Sequence, residues 1–212
     1  MVLVADLPAD LAHLVGYGEN MNTVAWHGPP SDVLGHPAPI QQFVTRTDHA
    51  VVALQQVIAF PEGCSLTLRI AVRRNSPRDS LAESVWERLH GSHTGRHFDA
   101  EPTDAEPTDA DLKFGVRFPD GSRATTVDHA FRGWAHPTDR PEPPMLIEAG
   151  GQSSSGDWRY DSNQLLWLWP LPAPGPFEFV IEWQKMGIDI TATTLDGTAI
   201  ARAAEQAVPY WS

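Results

Sequence analysis

Residues 51–74 read VVALQQVIAF-PEG-CSLTLRIAVRR, and the fold class turns on this stretch. The first arm is an apolar run rich in β-branched residues. Pro61-Glu62-Gly63 supplies turn chemistry, and in the second arm Leu66, Leu68, Ile70 and Val72 alternate with Ser65, Thr67, Arg69 and Arg73. Alternation with period two marks a half-buried strand, so the pair predicts an antiparallel hairpin.

The same grammar recurs downstream. Leu112, Phe114, Val116 and Phe118 alternate with Lys113, Gly115 and Arg117, then Pro119-Asp120-Gly121 turns the chain into a return arm, 122–127. Short strands are expected over 145–149, 163–169, 177–183 and 188–194. The Gly-Gly-Gln-Ser-Ser-Ser-Gly run of 150–156 reads as a flexible loop, and the Gly/Pro-rich 28–39 as another. Ser80 and Glu83 form a capping box opening a helix through Leu81, Val85, Trp86 and Leu89 to Gly91. A second helix is expected over 196–208, with Ile200, Ala203, Ala204 and Ala207 on one side. Pro8 to Gly16 has the marks of a short helix.

The economical architecture is mainly β: an antiparallel, β-sandwich-like fold of seven or eight strands with an internal and a C-terminal helix. The alternative is α+β, with both helices on one sheet face. The 212 residues suit one domain. We expect a single β-rich domain over 51–212, a segment 1–50 packing on its core, and a mobile acidic loop at 99–111.

Net charge is −12, and about half of the excess lies in Asp99, Glu101, Asp104, Glu106, Asp109 and Asp111. Nucleic acids and anionic membranes attract clustered Lys and Arg, so neither is an expected partner. Glu101-Pro-Thr-Asp-Ala repeats as Glu106-Pro-Thr-Asp-Ala, a solvated loop without the oxygen-ligand spacing of a calcium hand. No apolar run reaches the ~20 residues of a membrane span. The N-terminus lacks the basic start of a signal peptide, so a cytoplasmic location is expected. The single cysteine, Cys64, permits no intramolecular disulfide and reads as a small residue at a strand start.

Trp167 and Trp169 share one strand face with Leu165, while Leu166 and Leu168 share the other. A strand apolar on both faces must be covered on both faces. The cover is either intramolecular or a subunit interface through Leu165, Trp167 and Trp169. The run Leu166-Trp-Leu-Trp-Pro-Leu-Pro-Ala-Pro-Gly-Pro-Phe177, followed by Phe179-Val-Ile-Glu-Trp183 and an Ala-rich terminal helix, resembles a family of small proteins from high-GC bacteria. The resemblance spans roughly residues 112–211 and implies no activity, cofactor or catalytic residue.

Three constellations have chemical potential. His90, His93 and His97 have spacings that suit a transition metal, though Gly91 and Gly95 deny them a rigid helix. Trp134, Trp158 and Tyr160 lie in or near expected loops beside Arg and Asp, where rings can stack on sugars or anchor a peptide. The serines of 151–156 fit no nucleophile elbow, and neighbouring Asp128 and His129 point to opposite faces of a strand. Phosphate-loop, dinucleotide and His-Glu-x-x-His signatures are missing. The leading expectation is therefore a non-enzymatic β-sandwich module that binds a protein partner or itself, with no cofactor. The alternatives are a metal-dependent enzyme using the histidines and a carbohydrate- or peptide-binding module using the aromatics.

Overall fold

The computed structural model describes residues 24–76, 80, 84–85, 108–127 and 140–211. In chain order the strands are β1 (Val33–Leu34), β2 (His36–Ala38), β3 (Gln42–Arg46), β4 (Ala50–Phe60), β5 (Gly63–Arg73), β6 (Lys113–Arg117) and β7 (Arg123–Thr125). They continue with β8 (Met145–Ser155), β9 (Arg159–Trp169), β10 (Pro176–Trp183) and β11 (Ile188–Asp196), then helix α1 (Gly197–Ala204) and β12 (Val208–Pro209). Every pairing is antiparallel.

The hairpin at 51–74 forms as expected, and β4 and β5 become central strands. The larger sheet runs β2-β4-β5-β9-β8, with β3 also on β4, and the smaller runs β11-β10-β6-β7. Between them lies one core. From the larger sheet come Leu54, Leu66, Leu68, Ile70 and Leu166, and from the smaller Phe114, Val116, Phe179, Ile181 and Trp183. Fully burying each aliphatic side chain contributes about 1.5–3 kcal/mol. Trp183 sets its indole N–H on the Ala110 carbonyl at 3.1 Å, which satisfies the one polar atom it carries inward. The fold is thus mainly β and sandwich-like.

The helical elements trim it. Residues 80, 84 and 85 are helical and Val85 is buried in the core; the rest of the expected 81–91 helix lies outside the described residues. α1 is shorter than the expected 196–208. Asp196 caps it by accepting from the Thr198 N–H at 2.9 Å, and Ile200, Ala203 and Ala204 turn inward. It ends because Val208 and Pro209 pair instead with Leu34 and Val33.

Two expected loops are strands. Residues 36–38 pair with β4 at the sheet edge, where alternate N–H groups point to solvent and Pro37 is tolerated. Residues 150–155 continue β8, opposite 160–165 of β9. Their Ser/Gly composition is poor for strand formation, but a neighbouring ladder overrides weak propensity. A bulge between Glu148 and Gly150 accommodates the change, with Gly150 at φ +148°. The described part of 1–50 therefore does more than pack on the core, since β2 and β3 belong to the larger sheet. The Pro8–Gly16 stretch and residues 99–107 of the acidic loop lie outside the described residues.

Candidate functional site

The outer face of the larger sheet, away from the shared core, is built by register. β5 residues 65, 67, 69, 71 and 73 lie opposite β9 residues 167, 165, 163, 161 and 159, and all ten point outward. That face is divided in two.

Its lower half is apolar and covered. Trp167 and Trp169 are 0% and 3% exposed, packed with Phe60 and Met145 beneath Ala25, Trp26 and Val33. The Trp167 indole N–H donates to the Ala25 carbonyl at 2.9 Å, and the Trp26 and Trp169 rings meet edge-on at 5.8 Å. Trp167 and Trp169 are therefore not presented to a partner. Of the two covers left open by the sequence, same chain or subunit interface through Leu165, Trp167 and Trp169, the same chain supplies the one over the two tryptophans, because the segment before β1 folds back over this face. Leu165, at the border of the two halves, is half-buried.

The upper half is open and polar. One row across the strands reads Phe43, Ala53, Arg69, Asn163 and Gln152, and the next Arg46, Val51, Ala71, Asp161 and Ser154. Beyond them Arg73 lies directly opposite Arg159. Asp161, nearly buried, is gripped from both sides: Arg69 Nη2 and Arg159 Nε each lie 2.6 Å from one of its oxygens. Arg69 also donates to Asn163 Oδ1 at 3.3 Å. Arg46 stacks over the ring of Phe43 at 4.3 Å, and that ring is 55% exposed.

Arginines directly opposite one another across a ladder repel. Asp161 offsets Arg159, but Arg73 has no carboxylate partner among the described residues. Around this end of the sheet stand Arg46, Arg69, Arg73, Arg74 and Arg159 against Asp48, Asp157 and Asp161. Among the described residues, a chain of net charge −12 thus carries a local positive excess here.

The expected aromatic trio separates. Tyr160 is fully buried on the core side of β9, and burial raises its phenol above the ordinary range; it is corrected from ligand contact to core residue. The reason is parity: β9 begins at Arg159, so 160 faces inward with 162 and 166. Trp158 stays in the β8–β9 turn and is 62% exposed. Trp134, His90, His93 and His97 lie outside the described residues. Among the described residues no group of three His, Cys, Asp or Glu side chains is placed to hold a metal. No helix of the described residues is long and apolar enough to cross a membrane.

Cys64 is fully buried in the core, and burial pushes its thiol up to about 12. The thiolate is the reactive form, so at pH 8 the native protein is expected to resist thiol reagents. Titration with a chromogenic disulfide should read no free thiol until denaturant is added; stoichiometric reaction in the folded state would overturn this.

The open face escaped the sequence reading although part of its signal was present. Arg69 and Arg73 already stood on the polar side of β5, but Arg159 and Asp161 seemed to precede the strand that in fact contains them. No family model, curated protein or solved structure matches this chain. Geometry and chemistry alone then bear on function.

Proposed function

We propose that this chain is a non-enzymatic protein-interaction module that docks an acidic partner on the open half of its larger sheet. The observation that carries the reading is an exposed sheet face bearing Arg46, Arg69, Arg73 and Arg159 with, among the described residues, Asp161 as the one acid in its cross-strand rows, on a strongly acidic molecule. Interfaces are enriched in Arg and aromatic residues, and this face presents four arginines and the exposed Phe43 ring. Complementary charge would steer encounter and select partners more than it would add affinity. A sugar-binding platform is less well supported, since Tyr160 belongs to the core and Trp158 stands apart from Phe43.

A labelled Glu-rich extended peptide serves as the probe for fluorescence anisotropy on the full chain. Binding should be measurable at low salt and weaken as salt screens it. The double variant Phe43→Ala/Arg46→Glu should weaken it about tenfold, or about 1.4 kcal/mol. Arg117→Glu, on the opposite sheet and half-exposed beside Glu178, should leave it unchanged. Absence of binding, or equal loss in both variants, would overturn the reading.

A further inference from the structure

At the far end of the open face, beyond Asp161, the chain makes a second and smaller feature. β8 turns into β9 through Gly156-Asp157-Trp158, closed by the Gly156 N–H on the Arg159 carbonyl at 2.9 Å. The end of β5 is tied to that turn, because the Arg74 N–H donates to the Trp158 carbonyl at 2.9 Å. Arg74 Nη2 reaches Ser155 Oγ at 3.3 Å, which draws its guanidinium toward the β8–β9 hairpin. Arg73, Arg74, Trp158 and Arg159 together line an open cleft of about 480 Å³.

We infer that this cleft is a binding site for a phosphate dianion carried next to a flat ring. Three arginines line one cleft, and guanidinium forks match phosphate oxygens bidentately. Arg73 and Arg159 face each other and, among the described residues, Arg73 has no carboxylate partner, so an anion there would relieve their repulsion. A dianion answers such a cluster better than a monoanion. Trp158 is a largely exposed flat ring at the rim, its carbonyl bonded to the Arg74 N–H, and offers a stacking face for a planar group attached to the phosphate. Asp157, next to Trp158, and Asp161, already held by Arg69 and Arg159, are the described carboxylates nearest in sequence to the cleft residues on β9 and its turn. This inference shares Arg73 and Arg159 with the docking face but does not rest on the protein-partner reading, since Trp158 and Arg74 complete the cleft and Phe43 and Arg46 play no part in it.

The test is isothermal titration calorimetry of the full chain with phenyl phosphate, inorganic phosphate and AMP. Phenyl phosphate should bind about tenfold more tightly than inorganic phosphate, with a dissociation constant near or below about 1 mM. Arg73→Ala should weaken both about tenfold. Trp158→Ala should remove the advantage of phenyl phosphate while leaving inorganic phosphate unchanged. Both positions are exposed, and unchanged thermal midpoints will certify that the variants fold. AMP binding more tightly than phenyl phosphate supports the site and assigns it to nucleotides. AMP binding no better than phenyl phosphate supports the site and assigns it to simpler ring phosphates. The inference is overturned if phenyl phosphate gives no heat up to about 10 mM, if it equals inorganic phosphate, or if both variants bind as the parent does. Failure here with retained binding of the Glu-rich peptide leaves the docking reading intact, and the converse result leaves this one intact.

Discussion

Replacing Trp167 by Ala is expected to cost about 4 kcal/mol of folding stability, a large share of the 5–15 kcal/mol that holds a typical domain together. The side chain is fully buried between Phe60, with ring centroids 5.7 Å apart, and the segment that carries Ala25 and Trp26. Truncation leaves a cavity too enclosed to collapse against β5, and it strands the Ala25 carbonyl without its indole donor. Trp167→Phe separates the two contributions. It keeps an aromatic ring against Phe60 but loses the hydrogen bond, at a cost of about 1 kcal/mol from that bond. Urea denaturation reads both values. Light scattering in parallel decides between the two ways of covering this face. With intramolecular cover the native mass is unchanged by the substitution. Dissociation of an oligomer, with little change in the stability of the subunit, would restore the subunit-interface reading of Leu165, Trp167 and Trp169.

The way Trp167 is covered also marks where sequence reading stops. Alternation in 51–74 and 112–118 was enough to place β4, β5 and β6, because a strand with one buried face writes its parity directly into the residue order. It also showed that 165–169 is apolar on both faces and demands a second cover. Which segment supplies that cover is not a local property: Ala25 and Trp26 lie some 140 positions away, in a stretch with no periodic pattern. The strands at 36–38 and 150–155 were illegible for a related reason. Their Pro, Gly and Ser residues favour turns when read alone, and they become strands because β4 and β9 offer ready ladders. The arginine face combines both effects. Arg69 and Arg73 are visible on one side of a predicted strand, but their meeting with Asp161 and Arg159 depends on the β5–β9 register and on a strand that starts four residues earlier than its composition suggests. A charge count of −12 hid the local excess, since a sum over the chain carries no geometry.

Gly63→Ala is expected to destabilise the protein by about 3 kcal/mol, at the upper end of what overpacking a filled site costs. Gly63 opens β5, opposite Phe60 and against the Trp167 ring on the covered half of the outer face. A Cβ built there would stand 2.5 Å from the Leu168 carbonyl oxygen and 2.6 Å from Cζ2 of Trp167. Neither neighbour yields easily: the carbonyl belongs to the central β5–β9 ladder, and the indole is pinned by Ala25. Gly28→Ala is the matched control, because its Cβ would meet nothing within 4 Å, and a change within about 0.5 kcal/mol is expected. The two large substitutions also test each other. In Gly63→Ala/Trp167→Ala the ring half of the clash disappears while the Leu168 carbonyl remains, so the double variant should be more stable than additivity allows by on the order of 1 kcal/mol. Strict additivity in the denaturation cycle would mean that the ladder carbonyl takes the whole clash, and that the indole above it moves freely enough to be no obstacle. That result would contradict the rigid, internally covered tryptophan face on which the assignment of the remaining, open half of the sheet depends.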